Sequence, residues 1–262
     1  MHQYRQLPTP GHGKRKLSYI GVQTVAAESH IDSRCQRSGT MLMRCPVCEG
    51  ITCRFFIIVE ARTYLRCDDC LATFLQPSQL PLAGVELERY RQHRNDPGDN
   101  GYRQFLEQLT TPLLQRLAPA QRGLDYGCGP GPVLAAMLRE AGHAVALFDP
   151  FFVPDQEVLA HGYDFITCTE VIEHFHRPAD EFRKFDALLN PGGWLALMTT
   201  FQKDDAGFAQ WYYRRDFTHV VFYREATLRH LARHYGWSCE FPCANVALLQ
   251  KNVRKPQSAR SV

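Results

Sequence analysis

The sequence predicts an α/β fold: a doubly wound, mostly parallel sheet with a small zinc ribbon in front of it. From residue 122 onward, apolar and β-branched runs alternate with segments of helical period. That alternation belongs to a parallel sheet covered by helices on both faces. A glycine-rich turn, G-C-G-P-G at 127–131, joins the first such run to the first helix. Two C-x-x-C pairs, at 45–48 and 67–70, precede all of this.

The 262 residues suit one α/β domain with a small appendage, and an apolar fraction of 45% against 22% charged is the balance of a chain that buries a core. No apolar run approaches the roughly 20 residues that cross a bilayer, and the first ten residues lack the apolar region of a secretory signal. A cytoplasmic protein with no membrane partner is therefore expected. The net charge of +3 is uneven: residues 1–44 carry +5, residues 251–262 carry four basic residues and no acid, and residues 45–250 carry −6. An acidic body disfavours a polyanionic partner, because nucleic-acid binders present basic surface to displace counterions. No DNA partner is expected.

Residues 1–40 lack hydrophobic periodicity and predict a disordered leader, as 253–262 predict a disordered tail. Residues 41–80 form the ribbon, where R-F-F-I-I-V-E-A-R-T-Y-L-R between the cysteine pairs suits a short hairpin. Residues 81–121 predict a helical linker and cover, broken at N-D-P-G-D-N-G (95–101). Within it Phe105, Leu106, Leu109, Leu113, Leu114 and Leu117 recur at helical spacing. Residues 122–252 hold the sheet. R-G-L-D-Y leads to the glycine turn and a helix, followed by strands at 143–149 and 163–171 and a helix around 178–189. N-P-G-G then turns the chain into W-L-A-L-M, a helix spans about 224–235, and two strands close the domain.

Cys45, Cys48, Cys67 and Cys70 enclose 18 residues between the two pairs, a spacing that lets two knuckles present four thiolates to one tetrahedral ion. All four positions are then filled by sulfur, so the ion is structural zinc. A segment this short has little core of its own, which is why a metal would hold it. A redox dithiol or disulfides are the alternatives, and Cys53 is a spare thiol.

In L-D-Y-G-C-G-P-G (124–131), Gly127, Gly129 and Gly131 lie at a strand-to-helix turn, where missing side chains let backbone approach a ligand. Asp149 ends the next strand, placed to accept hydrogen bonds from both hydroxyls of a ribose. Asp125 stands two positions before the first glycine. Its charge would repel a pyrophosphate and would suit the ammonium of a methionine moiety. The bland alternative is a glycine turn that serves geometry alone.

Over roughly 102–250 the chain resembles the class I S-adenosylmethionine-dependent methyltransferases, with Leu124 to Gly131 as the first matching motif. E-V-I-E-H at 170–174 resembles the segment after strand four in methylases of the ubiquinone-biosynthesis type. L-L-N-P-G-G-W-L-A-L (188–197) and T-H-V-V-F-Y-R-E-A-T-L (218–228) are similar to their following elements. The resemblance implies a seven-stranded sheet with the last strand antiparallel, and S-adenosylmethionine as cofactor. One departure is plain: 14 residues between Asp149 and Asp164 leave little room for the usual helix, third strand and adenine-binding turn. The third strand is expected to be reduced or missing.

Transfer of a methyl group asks the protein to align a nucleophile and, where that atom carries a proton, to supply a base. His174 follows strand four and is a candidate base; the same side chain would also suit simple packing beside the cofactor. His219 is a second candidate, with Asp216 three residues earlier to orient its ring, or else a structural histidine. Glu170, at the strand end, is a candidate both for cofactor contact and for proton transfer. Trp211, Tyr212 and Tyr213 either line a substrate pocket or pack against the sheet.

Two substrate classes compete. A small-molecule metabolite fits the acidic body. RNA, ribosomal or transfer, fits a ribbon whose Arg54, Arg62 and Arg66 contact phosphates, although arginines on a hairpin also make an ordinary solvated face. A non-catalytic assembly module is the third reading, and intact cofactor motifs speak against it.

Overall fold

The computed structural model describes residues 40–92 and 98–253, with backbone alone for 40–42. The expected disordered leader and tail lie outside the described residues, save their inner ends, as does part of the expected break at 95–101.

The strands of the described residues form two sheets. The first has five strands, β1 (Thr40–Leu42), β2 (Thr52–Val59), β3 (Arg62–Cys67), β4 (Thr73–Leu75) and β9 (Val221–Phe222), in the order β1-β2-β3-β4-β9 and antiparallel throughout. Its β2–β3 hairpin turns through Glu60 and Ala61, both left-handed with φ of 51° and 62°. Two successive left-handed residues match the right-handed twist of flanking strands. The fifth strand comes from the far end of the chain, so the cysteine ribbon and the α/β body share a sheet.

The second sheet has six strands, ordered β10-β11-β8-β7-β5-β6: β5 (Arg122–Tyr126), β6 (Ala144–Phe148), β7 (Tyr163–Thr169), β8 (Leu189–Met198), β10 (Trp237–Cys243) and β11 (Val246–Lys251). β5 to β8 run parallel, β11 lies antiparallel beside β8, and β10 antiparallel beside β11. Six strands stand where the resemblance implied seven. β6 is an edge, and the short segment after it holds only a bridge between Asp149 and Val153 and a 3-10 turn at Glu157–Ala160. A helix plus a strand needs more chain than those residues provide.

Strand alternation divides the core. Helices α2 (Asn100–Leu114) and α3 (Val133–Glu140) cover one face, where Leu106, Leu109 and Leu113 pack with Leu138, Phe165, Ala196 and Met198. The opposite face sends Leu124, Ile166, Leu195 and Leu197 against α4 (Pro178–Leu188), α5 (Glu225–Tyr235) and the ribbon. β8 starts at Leu189, before the expected N-P-G-G turn, which instead interrupts its register with β7. A Cβ on Gly193 would lie 2.9 Å from the Asn190 and Asp164 carbonyl oxygens, so only glycine fits there. Helix α5 ends at Gly236, left-handed at φ 69°. A short helix, α1 (Ala83–Tyr90), follows the ribbon and leans on the loops at the carboxyl ends of the strands. None of the described helices is long and apolar enough to cross a membrane.

Candidate active site

The glycine turn leaves β5 at the carboxyl edge of the sheet, where open α/β sheets bind ligands. Gly127 and Gly129 adopt φ of 80° and 63°. The Gly127 amide donates to the Phe148 carbonyl at 2.7 Å, and the Gly129 amide donates to Asp149 Oδ2 at 3.0 Å. Asp149 Oδ1 accepts from the amides of Phe151 (2.8 Å) and Phe152 (3.1 Å). The carboxylate expected to meet a ribose thus also ties the glycine turn to the next strand. With about four lone-pair sites, it retains room for one further donor. Asp125 is buried and accepts from Thr167 Oγ1 at 2.9 Å, and burial pushes its carboxyl up to about 7.

E-V-I-E-H begins directly above this turn: a Cβ on Gly127 would come within 2.5 Å of the Val171 side chain. Glu170 holds a left-handed backbone at φ 52°, an uncommon state for a side-chain-bearing residue and a feature of functional sites. Its Oε1 is buried without a hydrogen-bond partner, and burial with the Glu173 charge beside it holds its carboxyl well above the usual range. Glu173 is wholly buried, accepts from Thr199 Oγ1 at 3.0 Å, and is pushed up mainly by desolvation. Tyr213 donates to Glu173 Oε1 at 2.5 Å and lies 3.2 Å from Glu170 Oε2.

Both candidate histidines lie beside Glu173. His174 Nδ1 lies 3.0 Å from the Thr218 carbonyl oxygen, and His219 Nδ1 lies 2.7 Å from that of Tyr213. A carbonyl only accepts, so each Nδ1 carries a proton. Asp216 does not orient His219 as expected. It is occupied by Thr218 and Arg89, and with those bonds its carboxyl lies well below the ordinary range despite burial. Glu173, His174 and His219 each offer one ligand atom, all within 4.8 Å of one another. Tyr90 of α1 closes the arrangement: its ring stands 5.2 Å from that of His174 and 5.5 Å from Phe151. Of the aromatic run, Tyr213 is buried and Tyr212 exposed. Tyr213 was legible only as part of that run; Tyr90 and Glu86, which bonds His176 at 3.0 Å, carried no sequence signal.

The four ribbon cysteines meet as the spacing implied. Their sulfurs lie within 4.8 Å of one another, with Cys45–Cys70 at 3.7 Å and Cys48–Cys67 at 3.6 Å. A tetrahedron of sulfurs about 2.3 Å from a central ion has edges of about 3.8 Å, so the donor set fits zinc. The amides of Val47 and Cys70 point at Cys45 and Cys67 sulfur, 3.4 and 3.5 Å away. Cys53, set aside as a spare, is buried opposite Cys67 in the register.

The arginines singled out for phosphate contact have partners within the chain. Arg54 pairs with Asp68, Arg62 donates to the Phe217 carbonyl, and the buried Arg66 bonds Thr73 and Asp205.

Residues 74–240 match the methyltransferase domain family, to which the chain belongs. Among curated relatives, ubiquinone biosynthesis O-methyltransferase from Bordetella avium is 31% identical over 33% of this chain and 46% of its own length. The Bordetella pertussis protein of the same name is 32% identical over 30% of this chain and 42% of its own. Each match spans less than half of the relative. Among solved structures, the Burkholderia thailandensis 1,6-didemethyltoxoflavin-N1-methyltransferase, with 1,6-didemethyltoxoflavin and S-adenosylhomocysteine bound, is 17% identical with a TM-score of 0.47, covering 76% of this chain and 99% of that one. The Synechocystis PCC 6803 magnesium protoporphyrin IX methyltransferase with bound S-adenosylmethionine is 17% identical with a TM-score of 0.41, covering 65% and 92%.

Proposed function

We propose that the protein transfers a methyl group from S-adenosylmethionine to a small-molecule metabolite, with an imidazole at 174 or 219 taking the proton of the nucleophile. The observation that carries this reading is the pair of histidines, each held through Nδ1 by a backbone carbonyl, beside the segment that covers the glycine turn. When bound, the cofactor supplies an electrophilic methyl on a sulfonium. Asp149 would take the ribose, Gly127 to Gly131 would let the backbone approach, and Asp125 would face the ammonium. A substrate hydroxyl would pass its proton to Nε2 as its oxygen bonds to the methyl carbon and the carbon–sulfur bond breaks. Hydroxyl chemistry is chosen because the curated relatives are O-methyltransferases.

The same side chains support a second reading, in which Glu173, His174 and His219 hold a divalent cation that orients an oxygen nucleophile. Two imidazoles with fixed tautomers and one carboxylate are a recurrent ligand set. Activity lost on chelation and restored by added metal favours the cation; activity indifferent to chelation favours the base.

RNA is the weaker substrate reading, because Arg54, Arg62 and Arg66 are engaged within the chain. In the ribbon we read Cys45, Cys48, Cys67 and Cys70 as ligands of one structural zinc. The deciding experiment incubates the protein and methyl-labelled cofactor with a metabolite extract and, separately, with total RNA. Label in small molecules is expected. Label confined to RNA, or none in either while cofactor binds, would overturn the proposal.

A further inference from the structure

We propose that the cysteine ribbon is a clamp that sets the two site histidines against each other, rather than a substrate-binding appendage. The inference rests on the zinc reading of the four thiols. Its ground is the set of hydrogen bonds that leave the two knuckles. The Pro46 carbonyl, inside the first knuckle, accepts from the Ala179 amide at 2.9 Å, in the first turn of the helix that follows His174. The second knuckle leads straight into β4, which pairs with β9 through Thr73 with Phe222 and Phe74 with Val221. One more bond extends that ladder toward the site, from the Leu75 amide to the Val220 carbonyl at 2.8 Å, and Val220 adjoins His219.

The two histidine segments are then bonded to each other. The Val220 amide donates to the Glu173 carbonyl at 2.9 Å, Tyr223 donates to the Ile172 carbonyl at 3.0 Å, and His174 Nδ1 donates to the Thr218 carbonyl. Each knuckle therefore holds one histidine segment, and the four sulfurs fix one knuckle to the other. Cys45, Cys67 and Cys70 belong to the same buried cluster as Phe182, Phe222 and Tyr223, so the contact is packed as well as hydrogen-bonded. A polar latch adds to it: the buried Arg66 bonds Thr73 and Asp205, and Thr73 donates to Gln202. The glycine turn shares none of these hydrogen bonds: its amides donate to Phe148 and Asp149, and it meets the first histidine segment through the Val171 side chain packed on Gly127. A clamp on the histidines should thus be separable from cofactor binding.

The test replaces the first knuckle, Cys45→Ser with Cys48→Ser, in the full chain. It reads zinc content, amide exchange by segment, S-adenosylhomocysteine affinity by calorimetry, and turnover. Expected are loss of zinc, exchange faster by about tenfold or more over 172–179 and 217–223, reduced turnover, and cofactor affinity within about threefold of wild type. Faster exchange confined to 43–75 would make the ribbon an independent appendage and overturn the clamp. Faster exchange throughout β5, β7 and β8 with cofactor binding lost would make it a general stabiliser, and overturns the clamp equally. Wild-type protein isolated without zinc sinks the zinc reading alone, since the exchange pattern of the variant still decides the clamp. If the double variant does not fold, the same exchange map is taken on wild type as a chelator withdraws the ion, with release followed by a pyridylazo dye.

Discussion

The rings of His174 and His219 meet edge to face, 4.7 Å between centres and 70° between planes. Each has its Nδ1 committed to a backbone carbonyl. His174→Ala and His219→Ala are expected to lower turnover by about 100-fold or more for the residue that takes the proton. Affinity for S-adenosylhomocysteine should hardly move. Single-turnover rates check this: two variants with wild-type rates would remove both histidines from the reaction.

Tyr213 joins the acids to the histidines, since its hydroxyl serves Glu173 and Glu170 while its carbonyl holds the His219 ring. Tyr213→Phe leaves the carbonyl and withdraws the hydroxyl from two buried carboxyls. The expected cost is about 1–3 kcal/mol of stability, seen as a lowered denaturant midpoint, because buried acceptors lose their donor. A midpoint unchanged from wild type would show that the hydroxyl contributes nothing there.

Asp125 gives the cofactor site a pH dependence of predictable sign. Burial raises its carboxyl to about 7, so in the free protein it is protonated below that pH. An ammonium ligand favours the ionised form, so binding must release the proton below pH 7. Affinity for S-adenosylhomocysteine is expected to rise with pH from 5.5 to about 7, by up to about tenfold per unit, and to level off above. Stability of the free protein is expected to follow the opposite trend: an unfolded Asp ionises near 4, so this group's contribution to stability is lost as pH rises from about 4 to 7. Asp125→Asn should flatten the affinity profile. A wild-type profile already flat from 5.5 to 8 would contradict the ammonium contact.

Gly127 is required twice, by its φ of 80° and by the Val171 side chain 2.5 Å from where a Cβ would stand. Gly127→Ala should cost about 1–3 kcal/mol and weaken cofactor binding, because both the turn and the segment leading to His174 must shift. Equal melting temperature and affinity in the variant would refute this.

Legibility in the sequence followed the range of the interactions. The cysteine knuckles and the strand–turn–helix at 122–140 are local, and the spacing of Cys45, Cys48, Cys67 and Cys70 and of Gly127, Gly129 and Gly131 was enough to place them. The missing third strand could be foreseen because chain length alone forbids it. What stayed hidden depends on residues far apart in the chain. Nothing in the sequence pairs Phe74 with Val221, so the ribbon looked separate from the body it shares a sheet with. Asp216 stood near enough to His219 to suggest a carboxylate partner, yet Arg89, from a helix more than a hundred residues earlier, holds that carboxylate, and the ring turns to the Tyr213 carbonyl instead. Glu173 gave no sign that it would be the most deeply buried acid of the site.

S-adenosylmethionine is proposed to sit between the glycine turn and Asp149. Titration calorimetry with S-adenosylhomocysteine, on wild type and on an Asp149→Ala variant that retains its melting transition, tests it most directly. Saturable binding by wild type and affinity weaker by about 100-fold or more in the variant are predicted, since Asp149 would meet the ribose and already anchors the Gly129 amide. No binding by wild type, or equal affinity in the two proteins, would contradict it.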